Sequence, residues 1–217
     1  MKIAVIGTGR KLSSMKNKLQ SVEGVSYLQD TDTKSHYDLI IDLDFDDDNF
    51  HREEYYNSLS TGTLLVSANL SVIEESFYEN KGIKVFGMCT FPYLLERNSL
   101  ELSNPYNFSN QELEKFASIL GYEKVEWVQS RVGFITPRIL CMIINEAYYT
   151  VQEGTANKED INTAMKLGTN YPKGPFEFLD LFGIDLVYDQ LLTLYHDTQE
   201  ERYKICSLLK QEYLRSF

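Results

Sequence analysis

The sequence is poor in cysteine, in positive charge and in long apolar runs. Its three cysteines, Cys89, Cys141 and Cys206, are odd in number and far apart. That excludes a disulfide framework and the paired spacing of a zinc site. Lys and Arg total 21 against 32 Asp and Glu, a formal net charge of -11. Such a chain does not hold a nucleic-acid backbone through its overall charge. The N-terminal apolar run, Ile3 to Ile6, is far too short for a signal-peptide core, and no stretch reaches the length of a membrane span. The expected location is therefore cytoplasmic, with no membrane partner. The chain has 217 residues, 43% hydrophobic and 24% charged, which are the values of a folded protein with one ordinary domain and a small second one.

Residues 1–130 alternate short apolar runs with helix-like stretches. The runs Lys2–Ile6, Val25–Leu28, Tyr37–Leu43, Thr63–Ser67, Lys84–Gly87, Ser99–Leu102 and Lys124–Val128 predict strands. Helices are expected over Lys11–Val22, Asn49–Leu59 and Ser109–Leu120. This alternation predicts an α/β domain with a Rossmann-like, mostly parallel sheet. Residues 131–217 carry no strand signal and predict a small all-helical domain. Ile135, Ile139, Met142, Ile143, Ala147 and Val151 fall at helical spacing before Gly154. Asn157-Lys-Glu-Asp160 resembles a capping box with Asp in the acidic position. Further helices are expected over Leu186–Tyr195 and Arg202–Tyr213.

Gly7-Thr8-Gly9-Arg10-Lys11-Leu12 joins the first strand to the first helix, the setting of a dinucleotide fingerprint. Gly7 suits the tight turn, and Gly9 suits close backbone approach to a diphosphate at a helix N-terminus. The third glycine position is Leu12. Asp30, at the end of the second strand, is the candidate acceptor for a ribose 2′-hydroxyl, which favours NAD over NADP. These residues fit equally a Rossmann-like domain that has lost its nucleotide. Asp42, Asp44, Asp46, Asp48 and Glu53 approach the spacing of a calcium loop. However, Asp47 stands where the sharp turn needs glycine, and a strand precedes the run, so a helix start rich in carboxylates accounts for it better.

The segments GFITPRIL (133–140), NEAYYTVQEGTANKEDINTAMKLG (145–168) and PKGPFEFLDLFGID (172–185) resemble, in order and spacing, the C-terminal domain of the 3-hydroxyacyl-CoA dehydrogenase family. The first half is compatible. YDLIIDLDFDD stands where the family has D-L-V-I-E-A-V-x-E, and VSANLS where it has A-S-N-T-S. The resemblance implies NAD as cofactor, a small-molecule hydroxyacyl substrate and a homodimer formed through the helical domain. It places Asp46 near the nicotinamide ribose, Asn69 against the cofactor and Ser71 against the substrate.

The departures concern chemistry. The family's catalytic histidine follows a Gly-Met pair; here Cys89 follows Gly87-Met88, and Glu101 matches the glutamate that orients the histidine. A thiol starts near pKa ~8.5, and a neighbouring carboxylate raises it further because like charges disfavour the thiolate. The family's asparagine in GF-x-x-N-R is Pro137. Its long helical excursion between the second and third strands shrinks to about eight residues, Thr31–Asp38. Two functions follow: an NAD-dependent oxidoreductase acting on a 3-hydroxyacyl-CoA or smaller 3-hydroxy acid, or a catalytically inactive relative acting as a dimeric binding or regulatory protein.

Overall fold

The computed structural model describes residues 1–31, 36–47, 49–59, 62–77 and 82–216. The chain divides into two compact units, Met1–Phe134 and Ile135–Phe217.

The first unit holds a seven-stranded sheet: β1 (Ile3–Ile6), β2 (Val25–Leu28), β3 (Leu39–Asp42), β4 (Gly62–Ser67), β5 (Ile83–Met88), β6 (Ser99–Ser103) and β7 (Lys124–Val128). Their order is β2-β1-β3-β4-β5-β6-β7. Every neighbouring pair is parallel except β5 and β6, which run antiparallel. The expected α/β, mostly parallel architecture is the one observed. β1 and β3 are buried at every position, which is why they read as unbroken apolar runs rather than alternating ones. Their core, Ile3, Val5, Leu39, Ile41, Leu65 and Phe86, continues into Met15 and Leu19. Those two residues lie on and just past α1 (Gly9–Lys18). The next helices are α2 (Asn49–Asn57), α3 (Ile73–Phe77), α4 (Pro92–Leu95) and α5 (Asn110–Ile119). Five- and four-residue helices such as α3 and α4 are too short to leave a 3.6-residue period, so the sequence does not announce them.

The second unit is helical: α6 (Thr136–Gln152), α7 (Lys158–Thr169), α8 (Pro175–Phe182), α9 (Ile184–Thr198) and α10 (Ser207–Arg215). Pro137 lies in the first turn of α6, where a missing N–H costs nothing. Asn157 caps α7 by accepting the Asp160 N–H at 2.9 Å, while its own amide donates to the Asp160 carboxylate at 2.8 Å. Helix expected over Arg202–Tyr213 is instead a 3₁₀ turn, Glu201–Tyr203, followed by α10. Buried Asn145 explains the break: it donates to the Lys204 carbonyl at 2.9 Å and accepts the Cys206 N–H at 2.9 Å. Both backbone groups are thereby drawn out of a helical ladder. Tyr148 of α6, Lys158 of α7 and Glu212 of α10 close a second link, with the Tyr148 hydroxyl 2.6 Å and the Lys158 ammonium 2.8 Å from the Glu212 carboxylate.

Gly174, the residue before α8, has no side chain with which to cap, and Asn162 of α7 takes over. Its Oδ1 accepts the Phe176 N–H at 3.0 Å, and the Glu177 carboxylate returns to the Gly174 N–H at 2.8 Å. A Cβ on Gly174 would lie 2.5 Å from the Asn162 Cα. Gly174→Ala is therefore expected to cost about 1–3 kcal/mol by overpacking, read as a lowered denaturation midpoint. An unchanged midpoint would show that the α7–α8 contact yields freely.

Candidate functional site

The register fixes where the candidate residues gather. Ile6 pairs with Leu28 on one side and Asp42 on the other, so β1, β2 and β3 end level. Gly7, Asp30 and Asp44 therefore share one edge of the sheet. The chain passes from β1 to β2 on one side and to β3 on the other, so this edge is a topological switch point, where open α/β sheets bind ligands.

Gly7 packs on the residue after β3: a Cβ there would meet the Leu43 Cβ at 2.9 Å. Gly9 has φ +54°, in the left-handed region, and nothing lies within 4 Å of where its Cβ would be. Its backbone is open to close approach. Leu12, at the third fingerprint position, packs against the hydrophobic core. Asp30 is exposed, and its Oδ1 accepts the Thr31 N–H at 2.6 Å.

The four acids Asp42, Asp44, Asp46 and Asp47, at and just past the end of β3, turn to different partners. Asp42 is fully buried and accepts from the Arg52 guanidinium at 2.7 and 2.8 Å, the Tyr56 hydroxyl at 2.6 Å and the Asp44 N–H at 3.0 Å. Burial pushes its carboxyl up; the attraction and hydrogen bonds of Arg52, then Tyr56, pull it back. Asp44 accepts the Thr8 hydroxyl at 2.8 Å. Asp47 pairs with Lys11 at 3.1 Å. Asp46 accepts from five donors. They are the Ser67 hydroxyl, the Asn69 N–H at 2.8 Å and its side-chain amide at 3.3 Å, the Leu70 N–H at 3.2 Å and the Ser71 hydroxyl at 2.8 Å. Asn69 also donates to the Thr90 hydroxyl at 2.6 Å and accepts the Thr90 N–H at 3.2 Å. Of the calcium-loop spacing, Asp48 lies outside the described residues. Among those described, no group of three or more metal-ligating side chains forms.

Cys89 and Glu101 meet across β5 and β6, whose register pairs Met88 with Leu102; the Cys89 N–H donates to the Glu101 carbonyl at 3.1 Å. Cys89 is buried, 4% exposed. Burial first, then the Glu101 carboxylate, pushes its thiol far above the ordinary value. With Leu94, Arg97 and Ser99 the pair lines a cavity of about 10 Å³, room for one water at most.

The structure thus gathers the sequence candidates into three groups. Gly7 and Gly9 form the turn, with Asp30 on the same edge. Asp46, Asn69 and Ser71 are joined in one network, and Cys89 and Glu101 form a pair adjoining that network through Thr90. Thr8, Asp44, Ser67 and Thr90 carry as much of the site as the residues the sequence singles out. Thr8 lies inside the glycine turn and Asp44 inside the acidic run, so both were within reach; Ser67 and Thr90 carry no local signal.

The sheet order and this edge define a Rossmann-like α/β unit, joined to a helical unit. Residues 133–215 match the family model "3-hydroxyacyl-CoA dehydrogenase, C-terminal domain". A 3-hydroxybutyryl-CoA dehydrogenase of Clostridioides difficile is 32% identical over 79% of this chain and 64% of its own length. The human mitochondrial hydroxyacyl-coenzyme A dehydrogenase is 34% identical over 64% of this chain and 43% of its own. The chain thus spans less than two thirds of these relatives. The solved structure of M. tuberculosis FadB2 superposes with a TM-score of 0.78 at 17% identity, covering 99% of this chain and 94% of that one. Over most of its length the chain is thus similar to 3-hydroxyacyl-CoA dehydrogenases. Among the described residues no helix is long and apolar enough to cross a membrane.

Proposed function

We propose that this chain is a 3-hydroxyacyl-CoA dehydrogenase-like oxidoreductase that binds NAD and transfers hydride to or from a 3-hydroxyacyl-CoA or smaller 3-hydroxy acid. The observation that carries the reading is the glycine turn: a left-handed Gly9 with open space beside it, opening a helix at the sheet's switch point. That cradle fits a dinucleotide diphosphate. Gly7 and Gly9 would let it approach, the first amides of α1 would face it, and Asp30 would accept a ribose hydroxyl. When bound, NAD supplies the hydride acceptor. Asp46, Asn69 and Ser71 would meet the nicotinamide end and the substrate as a preassembled unit, in which Asp46 orients the other two.

Cys89 specifically favours the second reading, a catalytically inactive relative. Oxidation of a hydroxyl needs a group to take its proton, and a buried thiol raised by desolvation and by Glu101 stays neutral near pH 7. A positioned general base contributes roughly 10²–10⁴-fold, so turnover is expected to fall short by about that factor. Calorimetric titration and a turnover assay with 3-hydroxybutyryl-CoA test both readings. The expected outcome is tighter binding of NAD than of NADP, together with slow turnover. No heat with either dinucleotide overturns the NAD reading, and turnover at ordinary enzyme rates overturns the inactive one.

The proposed partner is a second copy, meeting the helical unit. Ile135 and Ile139 lie one turn apart at the start of α6 and are 52% and 48% exposed, the kind of apolar face an isologous contact covers. Light scattering at micromolar concentration is expected to give about twice the 25.1 kDa chain mass; the mass of a single chain would refute the dimer.

A further inference from the structure

We infer that Asp44 sets how tightly the glycine turn takes a dinucleotide. Its carboxylate is an internal anion held where the diphosphate must approach. The inference rests on the NAD reading above and adds a determinant that the fingerprint residues do not contain.

Thr8 is the residue through which Asp44 reaches the turn. This residue lies between Gly7 and Gly9 and precedes α1, with an extended backbone at φ -133° and ψ 172°. In that conformation a threonine hydroxyl ordinarily caps its own helix by accepting an N–H two or three residues on. Here it makes no such bond; it donates to the Asp44 Oδ2 at 2.8 Å instead. Asp44 is 5% exposed, and its N–H is itself tied to Asp42 at 3.0 Å. Asp42 in turn is held by Arg52 and Tyr56. The acid is therefore built in, on a backbone fixed by a buried ion pair, and one hydrogen bond from the middle of the turn. Against the family pattern D-L-V-I-E-A-V-x-E, Asp44 falls on the second valine, so a charge stands where the pattern has an apolar side chain.

A negative charge in that position repels a diphosphate at the same turn, and at this degree of burial solvent screens it incompletely. Lys11 offsets part of the effect, but its ammonium is paired with Asp47 at 3.1 Å. Removing the charge while keeping an acceptor for Thr8 is the direct manipulation. Asp44→Asn does this without changing the side chain's size. Asp44→Ser, which retains a hydroxyl acceptor in a smaller side chain, repeats the test should the first variant fail to fold.

The experiment is calorimetric titration of the full chain and each variant with NAD, at low salt and again at about 0.3 M salt, where the Debye length shrinks. The expected result is NAD binding about tenfold tighter in the variant at low salt, with the advantage reduced at high salt. Binding by the variant equal to or weaker than that of the unmodified chain overturns the assignment of Asp44 and leaves the NAD reading standing. No binding by either chain at millimolar NAD overturns the NAD reading, and this inference with it.

Discussion

The carboxylate of Asp46 organises the candidate site. It stands just past β3 and gathers donors from the end of β4 and the four residues that follow, two of them backbone amides. Through Asn69 the same network reaches Thr90, just past β5. The tails of three adjacent parallel strands are thus fixed by one anion, and Ser67, Asn69 and Thr90 have no exposure to solvent. Asp46 itself is only half-buried, yet its oxygens are met by protein donors, and hydrogen bonds to a charged group are the stronger ones, about 1.5–3 kcal/mol each. What the β4 end of this edge can bind depends on that loop being held still.

Alternate acids in one short stretch do unlike work because each is presented to a different neighbour. Asp42 ends β3 and faces Arg52 and Tyr56 of α2; Asp44 faces the glycine turn; Asp46 faces the β4 loop. In the sequence they form an acidic run that approaches the spacing of a calcium loop. The distinction lies in residues 8, 52, 56 and 67–71, and spacing along the chain carries no trace of it.

Legibility followed burial and length. The fully buried strands β1 and β3 and the long helix α6 were plain from apolar runs and helical periodicity, and the glycine turn from its place between strand and helix. The break before α10 was not, because it is made by Asn145, sixty residues away in the chain and silent as to its partner. The pairing of Cys89 with Glu101 was legible only through the family resemblance; the antiparallel register of β5 and β6 gives it a physical basis. Leu12 illustrates a departure that the fold absorbs: where a fingerprint has glycine to let helix and sheet approach, the side chain joins the core instead.

The role of Asp46 is open to direct measurement through hydrogen exchange at the Asn69 and Leu70 amides. Both N–H groups lie outside regular secondary structure, in a connection where amides ordinarily exchange quickly. If the Asp46 carboxylate holds them as described, they exchange as slowly as the amides of Leu64–Val66 in β4, opening only when the unit unfolds. Rapid exchange at Asn69 and Leu70, with β4 still protected, would contradict the account and return this segment to an ordinary loop.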